Sequence, residues 1–505
     1  MRFPFPCSTP RKVLALGLSM GAALAFSQAC SQAPPSAASD VMDAGSDGST
    51  AIAEVHGRRV RHVWTEAGVY DEPLDLSRTK ISAFVTHDDG TIDTYAGAGL
   101  GDGSFIVKSV PNVPFSLQMD TTVYVHLARE SVIETFVVGR TDVKTLDPNA
   151  WIVVHLWNLN PWPATQPRGT PFFVYTLNAG GVWDLGSSGA DFLSVNPGDT
   201  AVVDVNIRGL GRVAVDSSRG DRSRVLQYAD RASTSGAFSA LVRTLDLPDL
   251  TLVGGGRVEG AMVEVAASET LTADWKGSAF GALMVRSGRG AQPARANLGV
   301  YARPNAPPSF EGGGVGLLVG VVPPGDAAIT MPYGDPFGGL ERWSSVHYTT
   351  TLTLSVPNRQ GRATDVLWGT DLHQTARVAS SAIGEVTPMI GPVVDVRING
   401  ADAFVDALQA SDTPTLSWSA GLVPSGARPR YLVDVVDLTD PNKSLVLSLW
   451  TSEASVRIPP GLLAHGRFYV AQITSAPTTG SRFASAPSGD AVGAEASFVT
   501  GLMSP

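Results

Sequence analysis

Apolar positions in this chain come in short alternating runs, rich in β-branched and aromatic residues and broken by turn residues. Ile81–Thr86 is one such run, and residues 87–90 after it have turn composition. Further runs occupy residues 121–126, 131–138, 151–157, 171–177, 200–206, 298–302 and 348–355. A period of two in residues of this kind is the mark of a half-buried strand. Turns carrying proline, glycine and aspartate at 196–199 and 323–326 separate them, because preset φ angles and side-chain-to-backbone bonds favour reversal there. No long stretch repeats apolar residues at amphipathic-helix spacing, and no fixed-period repeat is found. The pattern predicts an all-β fold, with several β-sandwich domains in tandem.

The first 30 residues change the picture. Residues 1–12 carry Arg2, Arg11 and Lys12 and no acid, residues 13–26 are apolar, and Ser27, Gln28, Ala29 and Cys30 follow. A basic, then apolar, then small-residue order is that of a secretory signal peptide. The apolar run of 14 residues is shorter than the roughly 20 that a spanning helix needs. A cysteine directly after a small residue at this point resembles a bacterial lipoprotein leader, although Ser27 stands where that family usually has leucine. The resemblance implies that Cys30 is lipidated, becomes the first mature residue and makes the membrane a partner. Ordinary cleavage after Ala29 is the alternative and leaves a soluble, secreted chain. Residues 31–50 are mostly small and polar and cannot bury enough apolar surface to fold. The leader is therefore read as 1–29 and a flexible linker as 30–51. The chain is expected to be exported, to the outer membrane or cell surface if lipidated and otherwise to the periplasm or medium.

A chain of 505 residues exceeds one core, and three stretches divide the rest. In 52–145, Asp102, Gly103 and Phe105 form an Asp-Gly-x-Phe turn and strand, and Val110-Pro111 leads into the next strand. This resembles the carboxypeptidase-regulatory-like β-sandwich, with Ala83 where the family usually has glycine. Members are usually non-catalytic modules. In 392–498, Trp418 is followed by Tyr431 and Val433, then by Ile458, Pro460, Gly461 and Tyr469. That order resembles a fibronectin type III domain, with Ala471 in place of a usual valine. It implies that Trp418 and Tyr431 are core residues and that Tyr469 holds a backbone group through its hydroxyl. The 240 or so residues of 146–385 suit one large sandwich or two small ones, of unknown type.

Charge and chemistry narrow the function further. The net charge of −10 lacks the basic footprint of nucleic-acid binding. Both cysteines, Cys7 and Cys30, lie in the leader region, so the folded body has no disulfide, thiolate metal site or cysteine nucleophile. The eight histidines include no H-E-x-x-H; His56 and His62 read as surface or satisfied core residues. Gly277-Ser-Ala-Phe-Gly281 has its serine misplaced for a nucleophile elbow. The glycine-rich 97–103 lacks the following helix that a phosphate cradle needs, and Gly254–Gly256 reads as a tight turn. Asp88, Asp89 and Asp93 read as a solvated turn, since the full ligand ladder of a calcium loop is missing. Arg219-Gly220-Asp221 reads as a polar loop. Of the tryptophans Trp151, Trp157, Trp162 and Trp183, the first two are six apart on one strand face, expected to be the core face. Trp162, between two prolines, is expected to be exposed. No cofactor, metal or catalytic residue is assigned. The expectation is a non-catalytic envelope or surface protein with a structural, adhesive or binding role and an unidentified protein or glycan partner. The alternative is an extracellular carbohydrate-binding or carbohydrate-processing protein with accessory β modules.

Overall fold

The computed structural model describes residues 52–87, 89–161, 172–184, 203–209, 212–233, 236–303, 314–357, 362–378, 382–405, 408–409, 411–439, 443–478 and 493–505. The leader, Cys30, the linker, Asp88 and Trp162 lie outside these. The fold is all-β. Among the described residues there is one α-helix, α1 (Gly277–Met284), and one 3-10 turn (Ser217–Arg219).

The first sandwich uses β1 (Ile52–Thr65), β2 (Ile81–Thr86), β3 (Ile92–Gly99), β4 (Ser104–Pro111), β5 (Ser116–Met119), β6 (Thr122–Val125) and β7 (Glu130–Val138). β1 runs parallel to β7 and antiparallel to β4. β2 sits between β3 and β5, and β5 pairs with β6. β3 changes sheet along its length, since Ile92–Ala96 pair with β2 while Gly97 to Gly99 pair with β4. Glycine is required there: a Cβ on Gly99 would lie 2.3 Å from the Leu76 carbonyl oxygen. The Asp102 carboxylate accepts from the Ser104 amide at 3.0 Å and hydroxyl at 2.6 Å. Gly103 takes φ 81°. This turn delivers Phe105 into a core with Val55, Val107, Val110, Leu117 and Ile133.

The central stretch adds β8 (Phe172–Thr176), β9 (Gly181–Asp184), β10 (Ser223–Ser233), β11 (Gly236–Leu247), β12 (Gln292–Arg303), β13 (Val315–Val321), β14 (Glu341–Pro357) and β15 (Ala363–Arg377). It holds two cores. One packs Ile152, Val154 and Leu156 against Phe172, Val174, Val225 and Val258. The other packs Trp275, Phe280, Leu298, Leu317 and Tyr348 with Tyr175 and Leu226. β8 and β10 therefore bury alternate residues in different cores. α1 contributes Phe280, stacked on Trp275 with ring centroids 4.5 Å apart and on Tyr348 at 5.8 Å. Asp326 accepts from the Ser278 amide at 3.0 Å and hydroxyl at 2.5 Å, satisfying a backbone donor that the first helical turn leaves open. Ser278 is thus part of a helix start.

The last stretch supplies β16 (Arg428–Asp437), β17 (Ser444–Thr451), β18 (Tyr469–Thr478) and β19 (Ala494–Val499). Trp418 and Tyr431 are buried and meet edge to face at 5.1 Å. The Tyr469 hydroxyl accepts from the Ala464 amide at 2.9 Å.

One sheet joins all three stretches. Its strand order is β3-β2-β5-β6-β17-β16-β18-β19-β15-β14-β12-β13-β11-β10-β8-β9. Every ladder is antiparallel except β6–β17, where Thr122, Val123 and Tyr124 run alongside Ser448, Leu449 and Trp450. Side chains cross these joins on both faces. Leu432 and Trp450 complete the first sandwich's core, while Val123 and Val125 complete the last one's. Leu352, Leu354 and Trp368 pack with Val436, Val470 and Val499.

Candidate functional site

Trp151–Trp157 is the middle strand of a small sheet, between Val203–Arg208 (antiparallel) and Gly256–Ala261 (parallel). Gly255 (φ 102°) and Gly256 (φ 157°) make the tight turn that brings the parallel strand in. A Cβ on Gly255 would lie 2.6 Å from the Trp151 carbonyl oxygen. Ile152, Val154, Leu156 and Val258 fill the core beneath. The odd-numbered residues point the other way. Trp151 is 54 % exposed, and Val153, His155 and Trp157 are partly exposed.

This corrects the expectation that Trp151 and Trp157 face the core. They do share a strand face, as six-residue spacing demands. The aliphatic residues between them took the core because their branched shapes fill a narrow gap between sheets. Among the described tryptophans whose side chains are placed, Trp64, Trp275, Trp343, Trp368, Trp418 and Trp450 are all buried. Trp151 and Trp157 are the pair left at the surface.

The outer face is chemically ordered. The Arg208 guanidinium lies over the Trp151 ring, 5.7 Å from its centroid. Between the two indoles, Arg257 bonds the Glu259 carboxylate at 2.7 Å and reaches His155 Nδ1 at 2.8 Å. His155 meets Trp157 edge to face at 5.5 Å. The face thus has aromatic surface at both ends and fixed, mutually neutralised polar groups in the middle.

The other sequence candidates resolve differently. Asp221 of the Arg219-Gly220-Asp221 tripeptide is fully buried. Arg140 grips it with two bonds, at 2.9 and 2.7 Å, and the Asp216 amide donates a third at 2.9 Å. Arg219 pairs with Asp142 and, like Gly220, is exposed, so Asp221 alone of the three is a packing element. Asp89 accepts from the Thr91 amide and hydroxyl at 2.9 and 2.6 Å, and Thr91 holds its carboxyl below the usual range. Asp93 bonds His87 at 2.9 Å. His56 lies 3.2 Å from Glu54. His62 stacks on Phe136 and sits 2.6 Å from Asp71 and 3.4 Å from Glu134. Burial lowers its pKa, but the two carboxylates outweigh that and raise it overall. Sequence reasoning missed one pairing: His347 and His373 are directly opposed on β14 and β15, with ring centroids 4.5 Å apart. Only strand register could have found it. Among the described residues no group of three or more His, Cys, Asp or Glu side chains converges as a metal site would require.

The described residues form clefts on the first and central stretches. One, of about 630 Å³, lies on the first sandwich between Phe84, His87, Asp93, Pro114 and His126. The other, of about 320 Å³, is lined by Gln374, Arg377, Glu385 and Met389 among others. It has one carboxylate and no tryptophan, so it lacks the facing acid pair of glycoside hydrolysis. No helix among the described residues is long and apolar enough to cross a membrane.

Neither a protein-family profile nor any curated sequence matches the chain. Among solved structures, the tetra-tandem repeat in the extending region of a large adhesion protein aligns at 10 % identity and TM-score 0.14, over 88 % of this chain and 99 % of that one. A run of titin domains aligns at 9 % identity and TM-score 0.14, over 67 % of this chain and 87 % of that one.

Proposed function

We propose that the chain is an exported, non-catalytic surface scaffold, tethered through lipidated Cys30 and presenting a rigid β body beyond its linker. The observation that carries this reading is the single sheet through all three stretches, with core side chains crossing both joins. Separate sandwiches on linkers swing independently by default. Here the β6–β17 and β15–β19 ladders and the shared cores at Trp450 and Trp368 suppress such motion. A rigid body behind a polar tether suits holding a surface at a set distance from a membrane. It gives nothing to a reaction that needs a closing cleft. Two sandwich-type resemblances, both to modules that usually lack catalysis, point the same way.

Two measurements test the reading. Mass spectrometry of the mature chain is expected to find an acylated Cys30; an unmodified N-terminus at or beyond Cys30 removes the anchor. Thermal unfolding followed by tryptophan fluorescence and far-ultraviolet dichroism is expected to give one coincident transition. Separate transitions for the three stretches would defeat the rigid scaffold.

A further inference from the structure

We propose that the outer face of the Trp151–Trp157 sheet binds an uncharged polysaccharide strand, with Trp151 and Trp157 as stacking platforms. This goes beyond the scaffold reading, which needs no ligand. Six residues at the rise of a strand separate the two indoles by about 20 Å, the length of a short oligosaccharide. A pyranose has an apolar C–H face and a polar hydroxyl rim. It matches a surface that alternates exposed aromatic rings with fixed donors and acceptors.

The polar groups lie between the platforms, where hydroxyl rims would pass. Arg257, Glu259 and His155 hold one another at 2.7 and 2.8 Å, so their geometry is set before a ligand arrives. Arg208 lies over Trp151, where its guanidinium can reach the hydroxyls of a ring stacked beside it.

Charge decides the ligand class. Glu259 offsets Arg257 while Arg208 adds one positive charge beside Trp151, and the whole chain's −10 repels a polyanion at long range. The layout also disfavours a protein partner. Protein hot spots gather in a desolvated central pocket, whereas here the charged groups hold the centre and the rings stand at the two ends.

The test uses the full mature chain, with cellohexaose and chitohexaose as neutral probes and polygalacturonate as the polyanion. Binding is read by calorimetry and tryptophan fluorescence. At least one neutral hexasaccharide is expected to bind and to shift the fluorescence. Trp151→Ala and Trp157→Ala are each expected to weaken it about tenfold. Trp151→Ala is expected to leave the melting temperature unchanged. Trp157→Phe, which keeps a ring in the partly buried position, is expected to lose less than Trp157→Ala. The proposal is overturned if neither neutral probe binds, if polygalacturonate alone binds, or if binding survives loss of both indoles. None of these results would disturb the cooperative unfolding on which the scaffold reading stands.

Discussion

Trp450 and Trp151 lie in strands of similar texture, yet Trp450 is 7 % exposed and Trp151 is 54 % exposed. In Ser444–Thr451 the alternation sends Leu447 and Leu449 into the last sandwich and Trp450 into the first. In Trp151–Trp157 it sends Ile152, Val154 and Leu156 into one core and leaves the opposite face open. A strand has two faces, and its own sequence says only that both are apolar enough to bury. Whether the second face is covered depends on what else packs there. At β17 a neighbouring sandwich arrives through β6. At Trp151 none does among the described residues, and the indoles stay at the surface.

The largest effect should come at the covered face. Trp450→Ala removes a ring shared by two stretches and the platform beneath the Arg430 guanidinium, 5.2 Å from its centroid. A loss of about 4 kcal/mol is expected in urea unfolding, along with splitting of the single transition. An unsplit transition would mean that the backbone ladder alone couples the stretches. Asp221→Ala removes two of the Arg140 guanidinium's bonds beside the junction of the first and central stretches and leaves it Asp142, 2.6 Å away, as its carboxylate partner. It should cost about 3 kcal/mol, measured the same way. A negligible cost would return the tripeptide to the status of a surface loop.

The two faces of one strand give a sharper contrast. Ile152→Ala should cost about 3 kcal/mol, whereas Trp151→Ala should stay within about 0.5 kcal/mol. Equal costs would erase the distinction drawn between covered and open faces. Asp434 sits on the covered face of β16, where burial raises its pKa and a bond from Ser448 only partly opposes this. Its charge therefore weakens the fold above its raised pKa. Asp434→Asn should stabilise at neutral pH, by about 1 kcal/mol at most, with the gain fading as acid protonates the native residue.

The smallest effect is expected at His62. Its folded pKa is raised, so its stabilising contribution is complete below the unfolded value of about 6.5 and is lost as pH rises through the folded value. The melting temperature of the native chain relative to His62→Gln should thus fall between mildly acidic and mildly alkaline pH. A constant difference would show that Asp71 and Glu134 do not act on the histidine's charge.

Much of the architecture was legible along the chain. Period-two runs marked strands at Ile81–Thr86 and Trp151–Trp157 because the pleat puts neighbours on opposite faces. Trp418 and Tyr431 could be placed inside, and Phe105 placed on a strand after its turn, from local motifs, since turns and corner residues act over few positions. The His347–His373 pair and the Arg140–Asp221 grip could not, because each joins strands or loops far apart in sequence. The candidate site was half legible. Six-residue spacing put Trp151 and Trp157 on one face, and the composition suggested the wrong one.

The sequence by itself determined the β character, the strand periods and the turns, because these follow from steric preferences of a few neighbouring residues. It also determined that both faces of Trp151–Trp157 carry apolar residues. Only the tertiary structure decided which faces were covered, since burial is a property of two surfaces meeting. It joined β6 to β17 and β15 to β19 and so turned tandem sandwiches into one sheet. Among the described residues it left the Trp151 face uncovered, with an indole ring 54 % exposed.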